Sequence, residues 1–90
     1  MKEYNYMTLS EILKYEPEME RLGVSKIARS SRGFLTAYKS VRGRSAKFNP
    51  YWRKKRNGFI ARHLAQYKKN PTYRRFLALV AWAYMPEGEQ

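Results

Sequence analysis

The chain has no cysteine, and between Arg21 and Pro86 it has no acidic residue. The first absence excludes disulfides and thiolate zinc ligands; it fits a reducing compartment without requiring one. The second absence says more. That stretch covers 66 of the 90 residues and carries 17 of the 19 Lys and Arg. All seven acids lie outside it: Glu3, Glu11, Glu16, Glu18 and Glu20 before, Glu87 and Glu89 after. A surface without internal counter-charge repels itself, and its folded state is best tolerated beside a polyanion. Long apolar runs are missing too. The longest, Phe76 to Met85, is ten residues and suits a buried helix rather than the ~18-residue span of a bilayer. The opening MKEYNYMTLSE has no apolar stretch of the kind a secretory signal needs. These absences lead us to expect a cytoplasmic protein, nucleoid-associated or in a host cytoplasm if viral, with no membrane partner.

What is present is enough to fold. Eight Tyr, four Phe and two Trp can fill a core, which disordered basic tails cannot do. Ninety residues make one domain that buries roughly 60–65% of its unfolded surface, so its stability should be marginal. No segment alternates with period two for long enough to suggest a strand, and there is no internal repeat or low-complexity tract. The expected fold is all-α: a single-domain bundle of three to four helices with an aromatic-rich core. The expected layout is a flexible arm over 1–7, a basic helical domain over 8–86 and an acidic tail over 87–90.

Thr8 and Glu11 have capping-box spacing, and Leu9, Ile12 and Leu13 follow at helical intervals. Pro17 then predicts a break, giving a short helix near 8–15 and a further turn near 17–22 that Gly23 stops. Ser25, Ser30 or Ser31 can start a second helix. Its apolar side is Ile27, Phe34, Leu35, Tyr38 and Val41, its polar side Arg29, Arg32, Thr36 and Lys39, and its end Gly43. Gly33 inside it marks a close contact or a break. Asn49-Pro50 starts a helix running to about residue 69, with an apolar stripe of Trp52, Phe59, Ile60, His63, Leu64 and Tyr67. Asn70-Pro71 separates it from a last helix near 71–85, apolar nearly all round and therefore central.

The cations group in three places. Arg53, Lys54, Lys55 and Arg56 form the densest run, and with Arg42, Arg44 and Lys47 they make a loop-plus-helix-start patch suited to phosphates. Arg62, Lys68 and Lys69 continue along the same helix. Arg29, Arg32, Thr36 and Lys39 are the candidate groove-reading face, because Arg bonds guanine bidentately and Thr reaches base or phosphate. Nearby RLGVSKIAR resembles the turn of a helix-turn-helix, although Arg29 and Arg32 stand where that motif wants apolar residues. Arg74 and Arg75 lie in a first helical turn, where the dipole disfavours cations and a bound phosphate would relieve them. Tyr51, off the stripe and beside the basic run, is the aromatic placed to stack on a base. Phe34, Tyr38, Phe59, Phe76 and Tyr84 fall on apolar stripes and are core. Trp52 suits either the core or a contact with Arg56.

His63 is the sole histidine and lies mid-stripe, as a core residue would. As a general base it needs an orienting carboxylate, and none is near it in sequence. The basic two-thirds of the chain also lacks the carboxylates of metal-dependent hydrolysis. We therefore expect no enzyme, no metal and no cofactor, but non-catalytic binding of nucleic acid through phosphate contacts. Sequence preference should be low, and double-stranded DNA is favoured over RNA. The alternative is a small basic regulator that binds an acidic surface of another protein. The compact, cysteine-free basic design suits a virus- or phage-encoded accessory protein. Glu11 to Glu20 are expected to face the basic body as a partial counter-ion, or else to dock another protein.

Overall fold

Thr8 opens the first helix. Its hydroxyl accepts the backbone N–H of Glu11, and the Glu11 carboxylate accepts the N–H of Thr8, both at 3.3 Å, so two orphan donors are satisfied. In this computed structural model, which describes residues 4–44 and 47–86, helix α1 runs Leu9–Leu22 in one piece. The break expected at Pro17 does not occur. Proline removes the N–H that would bond the carbonyl of Leu13 and crowds that carbonyl, but Leu13 and Pro17 both lie on the exposed side of the helix, where the carbonyl can tilt outward toward solvent. Gly23 ends α1 at φ 66°, with the Gly23 N–H on the Glu20 carbonyl and the Val24 N–H on that of Met19, a Schellman pair.

The second helix is much shorter than its periodicity predicts. Residues 24–33 form successive turns, and α2 spans only Phe34–Ser40. Ser30 Oγ bonds the Ile27 carbonyl at 2.7 Å and Thr36 Oγ1 bonds that of Ser30 at 2.6 Å, so short hydroxyl side chains compete with the helical ladder. Gly33 is both the break and a close contact. A Cβ there would lie 2.0 Å from the Ile27 carbonyl oxygen and 2.4 Å from that of Ala28. The helix-turn-helix resemblance therefore finds no recognition helix behind it.

Asn49 caps α3, Pro50–Lys69, by accepting the Trp52 N–H at 3.0 Å. Thr72 caps α4, Tyr73–Val80. The last helix was expected to reach residue 85 but stops at Val80. The Ala83 N–H returns to the Val80 carbonyl and the Tyr84 N–H to that of Leu79, with Ala83 at φ 63°. This is a second Schellman stop, built on an alanine in the left-handed region at a cost of about 1–2 kcal/mol.

α4 packs on α3 and on α1 and is central, as its apolar circumference requires. Leu77, Leu79, Val80 and Ala81 are fully buried. The aromatic core continues through Trp82, which is stacked between Phe34 (4.7 Å) and Phe59 (4.4 Å); Phe59 in turn stacks on His63 at 3.9 Å. Trp52 meets Phe34 edge-on at 5.9 Å and belongs to this core. Phe34, Tyr38 and Tyr84 are buried, while Phe59 and Phe76 are half-buried against the cluster.

The described part of the arm is not loose. Met7 donates its N–H to the Ala83 carbonyl at 2.7 Å, and its own carbonyl accepts the buried Tyr38 hydroxyl at 2.7 Å. Tyr4 meets Tyr84 edge-to-face at 5.5 Å. Residues 1–3 and the tail at 87–90 lie outside the described residues. Among the described residues the elements are four helices and no strand, an all-α bundle with an aromatic core. No described helix is long and apolar enough to cross a membrane.

Candidate nucleic-acid interface

Arg56 is the largest correction. It was grouped with the phosphate-binding run, yet its side chain is completely buried. Its guanidinium donates to the carbonyls of Trp82 (2.7 Å), Tyr4 (2.9 Å), Asn5 (2.7 Å) and Ala83 (2.9 Å), and lies 3.7 Å from the Tyr6 ring centroid. A planar fork of five donors can serve several carbonyls at once, and an aromatic face accommodates the charge. Arg56 thus ties the N-terminal segment to the turn after α4 and cannot reach a phosphate. The signal was in the spacing: it lies four residues from both Trp52 and Ile60, on the apolar stripe.

The expected groove-reading face also dissolves. Arg29 and Arg32 are on the turns before α2, whereas Thr36 and Lys39 are on the helix, and Thr36 is held by Ser30. Arg29 is half-buried and donates to the carbonyls of Val24 (3.1 Å) and Met19 (3.5 Å) at the end of α1. Arg74 donates to the carbonyl of Leu22 at the same end. Two cations thus neutralise the negative pole of α1. Arg75 donates to the Asn70 carbonyl at 3.3 Å. Arg74 and Arg75 therefore find carbonyl partners in the turn where a phosphate was expected to relieve them. Lys39 pairs with Glu16 at 2.7 Å, the inter-helix counter-ion contact expected of the acidic stretch. Glu18 pairs within α1 with Arg21 at 2.9 Å, and that hydrogen bond holds its carboxyl below the usual range.

The outer side of α3 does gather cations. At 100° per residue, Tyr51, Lys54, Lys55, Arg62, Lys68 and Lys69 fall on one side, and all six are exposed. Arg53, also exposed, lies about 200° round the helix from Tyr51 and is not part of this face. Gly58, Ala61 and Ala65 fall between the cations, a run of small residues visible in the sequence only once α3 is projected at 100° per residue. A Cβ on Gly58 would lie 3.5 Å from a guanidinium nitrogen of Arg62, so nothing bulky separates the charges. Lys54, Lys55, Arg62, Lys68 and Lys69 form no ion pair with a described carboxylate. Lys55 Nζ bonds the Tyr51 hydroxyl at 3.2 Å and lies 5.4 Å from its ring centroid, so the ring exposes at most one face. Arg42, Arg44 and Lys47 are exposed on the loop that leads into α3.

His63 sits opposite this face. Burial, with Arg62 next in effect, lowers its pKa, so folding favours the neutral ring. With the folded pKa below the unfolded value of about 6.5, stability is fully present above that pH and is lost as pH falls from there through the lower folded pKa. His63→Phe keeps the stack on Phe59 and removes the titration. Thermal melts from neutral to mildly acidic pH should therefore show wild type losing more Tm than His63→Phe.

No group of three or more metal-ligating side chains is present among the described residues. No protein-family model matches the chain, and no curated protein or solved structure matches it either.

Proposed function

We propose that this chain binds nucleic acid without catalysis, through phosphate contacts made by the outer side of α3. One observation carries this reading: five cations share one face of a 20-residue helix, with small residues between them and no described carboxylate paired to them. From Lys54 to Lys69 the helix presents these charges over ~22 Å, a span matched by a regular ladder of phosphates. The loop cations Arg42, Arg44 and Lys47 extend the field at its N-terminal end. Duplex DNA is favoured over single strands because single-strand binding relies on exposed aromatic platforms. Only Tyr51, at 60%, and Tyr73, at 46%, are exposed aromatics among the described residues. Phosphate contacts fix position without reading sequence, so low sequence preference follows.

Counterion release gives the test. If the five α3 cations each engage one phosphate, log affinity for a duplex falls against log salt with a slope near −4.5. Fluorescence anisotropy of a labelled duplex titrated at several salt concentrations measures it. A slope near zero overturns the proposal.

A further inference from the structure

Behind α3, on the side away from the cationic face, lies an apolar notch of about 610 Å³. Phe59, Trp82 and Ala78 line it from the core side, and Lys26, Ile27 and His63 complete its wall. Ile27 is 84% exposed, the most exposed large apolar side chain among the described residues. A single exposed isoleucine is ordinary; one that borders an apolar depression is not. Interfaces concentrate binding energy in such places, where an apolar anchor is desolvated inside a polar rim. Here the rim is cationic: Lys26 lines the notch and no glutamate is among the lining residues.

We propose that this notch docks an acidic segment of another protein, which inserts one large apolar side chain between Ile27 and the Phe59–Trp82 edge while a flanking carboxylate meets Lys26. Charge complementarity selects that occupant. A second copy would bring another chain of net charge +12 against the same cationic rim. A nucleobase would leave most of its donors and acceptors unpaired against a largely apolar lining. The site is separate from the α3 face and does not depend on what that face binds.

Short random peptides displayed on bacterial cells, free of any nucleic-acid linkage, supply the probe. Selection on the wild-type protein is expected to enrich sequences with Asp or Glu flanking one large apolar residue. Synthetic copies should bind Ile27→Asp at least roughly tenfold more weakly, as expected for loss of a central apolar contact. Replacing the apolar anchor by Ser at unchanged peptide charge should cost as much. The exposure of Ile27 lets the variant keep its fold, which its melting temperature checks. The proposal is overturned if no such sequences are enriched, if the Ser peptide binds as well as its parent, or if Ile27→Asp binds unimpaired. It is equally overturned if sedimentation shows a wild-type dimer that Ile27→Asp dissociates, since the occupant is then a second copy.

Discussion

Arg56→Met is expected to lower the melting temperature by roughly 15 °C, because a domain of this size loses about 4–8 °C per kcal/mol. The loss arises at carbonyls. Tyr4, Asn5 and Trp82 each lose a charged donor held at 2.9 Å or less. A buried polar group left unpaired costs about 1–3 kcal/mol, so even partial hydration leaves a penalty of about 3 kcal/mol. Ala83 is spared in part, because Met7 also donates to its carbonyl. Arg56→Lys should rescue little, since an ammonium cannot reproduce a fork spread over several carbonyls and the stack on Tyr6. Differential scanning calorimetry of both variants decides the matter. Melting within a few degrees of wild type would show that the guanidinium is dispensable.

The second large effect concerns binding. Lys54→Gln, Lys55→Gln and Lys69→Gln together remove three of the five α3 cations. If each met one phosphate, affinity at ~0.15 M salt should fall about a hundredfold and the salt slope should flatten by about 3. The factor should be the same for unrelated duplex sequences, because phosphates carry no base identity. Anisotropy titrations on two duplexes of different sequence read both quantities. The triple variant should melt close to wild type, since these side chains are exposed and form no ion pair with described acids. Unchanged affinity would remove α3 from the interface.

The helices were legible in the sequence where it names their ends. Thr8 with Glu11, Asn49 with Pro50, and Gly23 each combine a backbone requirement with a residue that meets it, and each boundary falls where it was read. Misjudged boundaries lack such a marker or carry a misleading one. α4 stops on Ala83, which occupies a left-handed position that glycine usually marks, so the apolar run to Met85 read as helix. Pro17 signalled a stop that its solvent-side placement cancels. The 24–33 turns kept a helical apolar period by coincidence, while Ser30, Thr36 and the contact over Gly33 decided against a helix. Those are tertiary and side-chain effects that a periodicity does not encode.

Charge was harder to place than shape. Composition singles out a cationic chain but cannot say which cations face water. Arg56 entered the core, and Arg29 and Arg74 were drawn to the carbonyl end of α1. Lys39 found Glu16. Reading α3 at a spacing of four would have put Arg56 between Trp52 and Ile60 and left Lys54 and Lys55 outside. The notch at Ile27 had no sequence signal, because its walls come from three separated segments.

The ties from Tyr4, Asn5 and Met7 to Arg56 and Tyr38 span 31 to 52 residues of chain, and Met7 also reaches Ala83. A ribosome delivers the first of these residues long before the last. During synthesis the leading segment therefore has nothing to close against, and the finished bundle assembles only once the stretch through Ala83 has left the exit tunnel. A ribosome stalled short of that point holds a chain whose early residues stay open to chaperones and proteases.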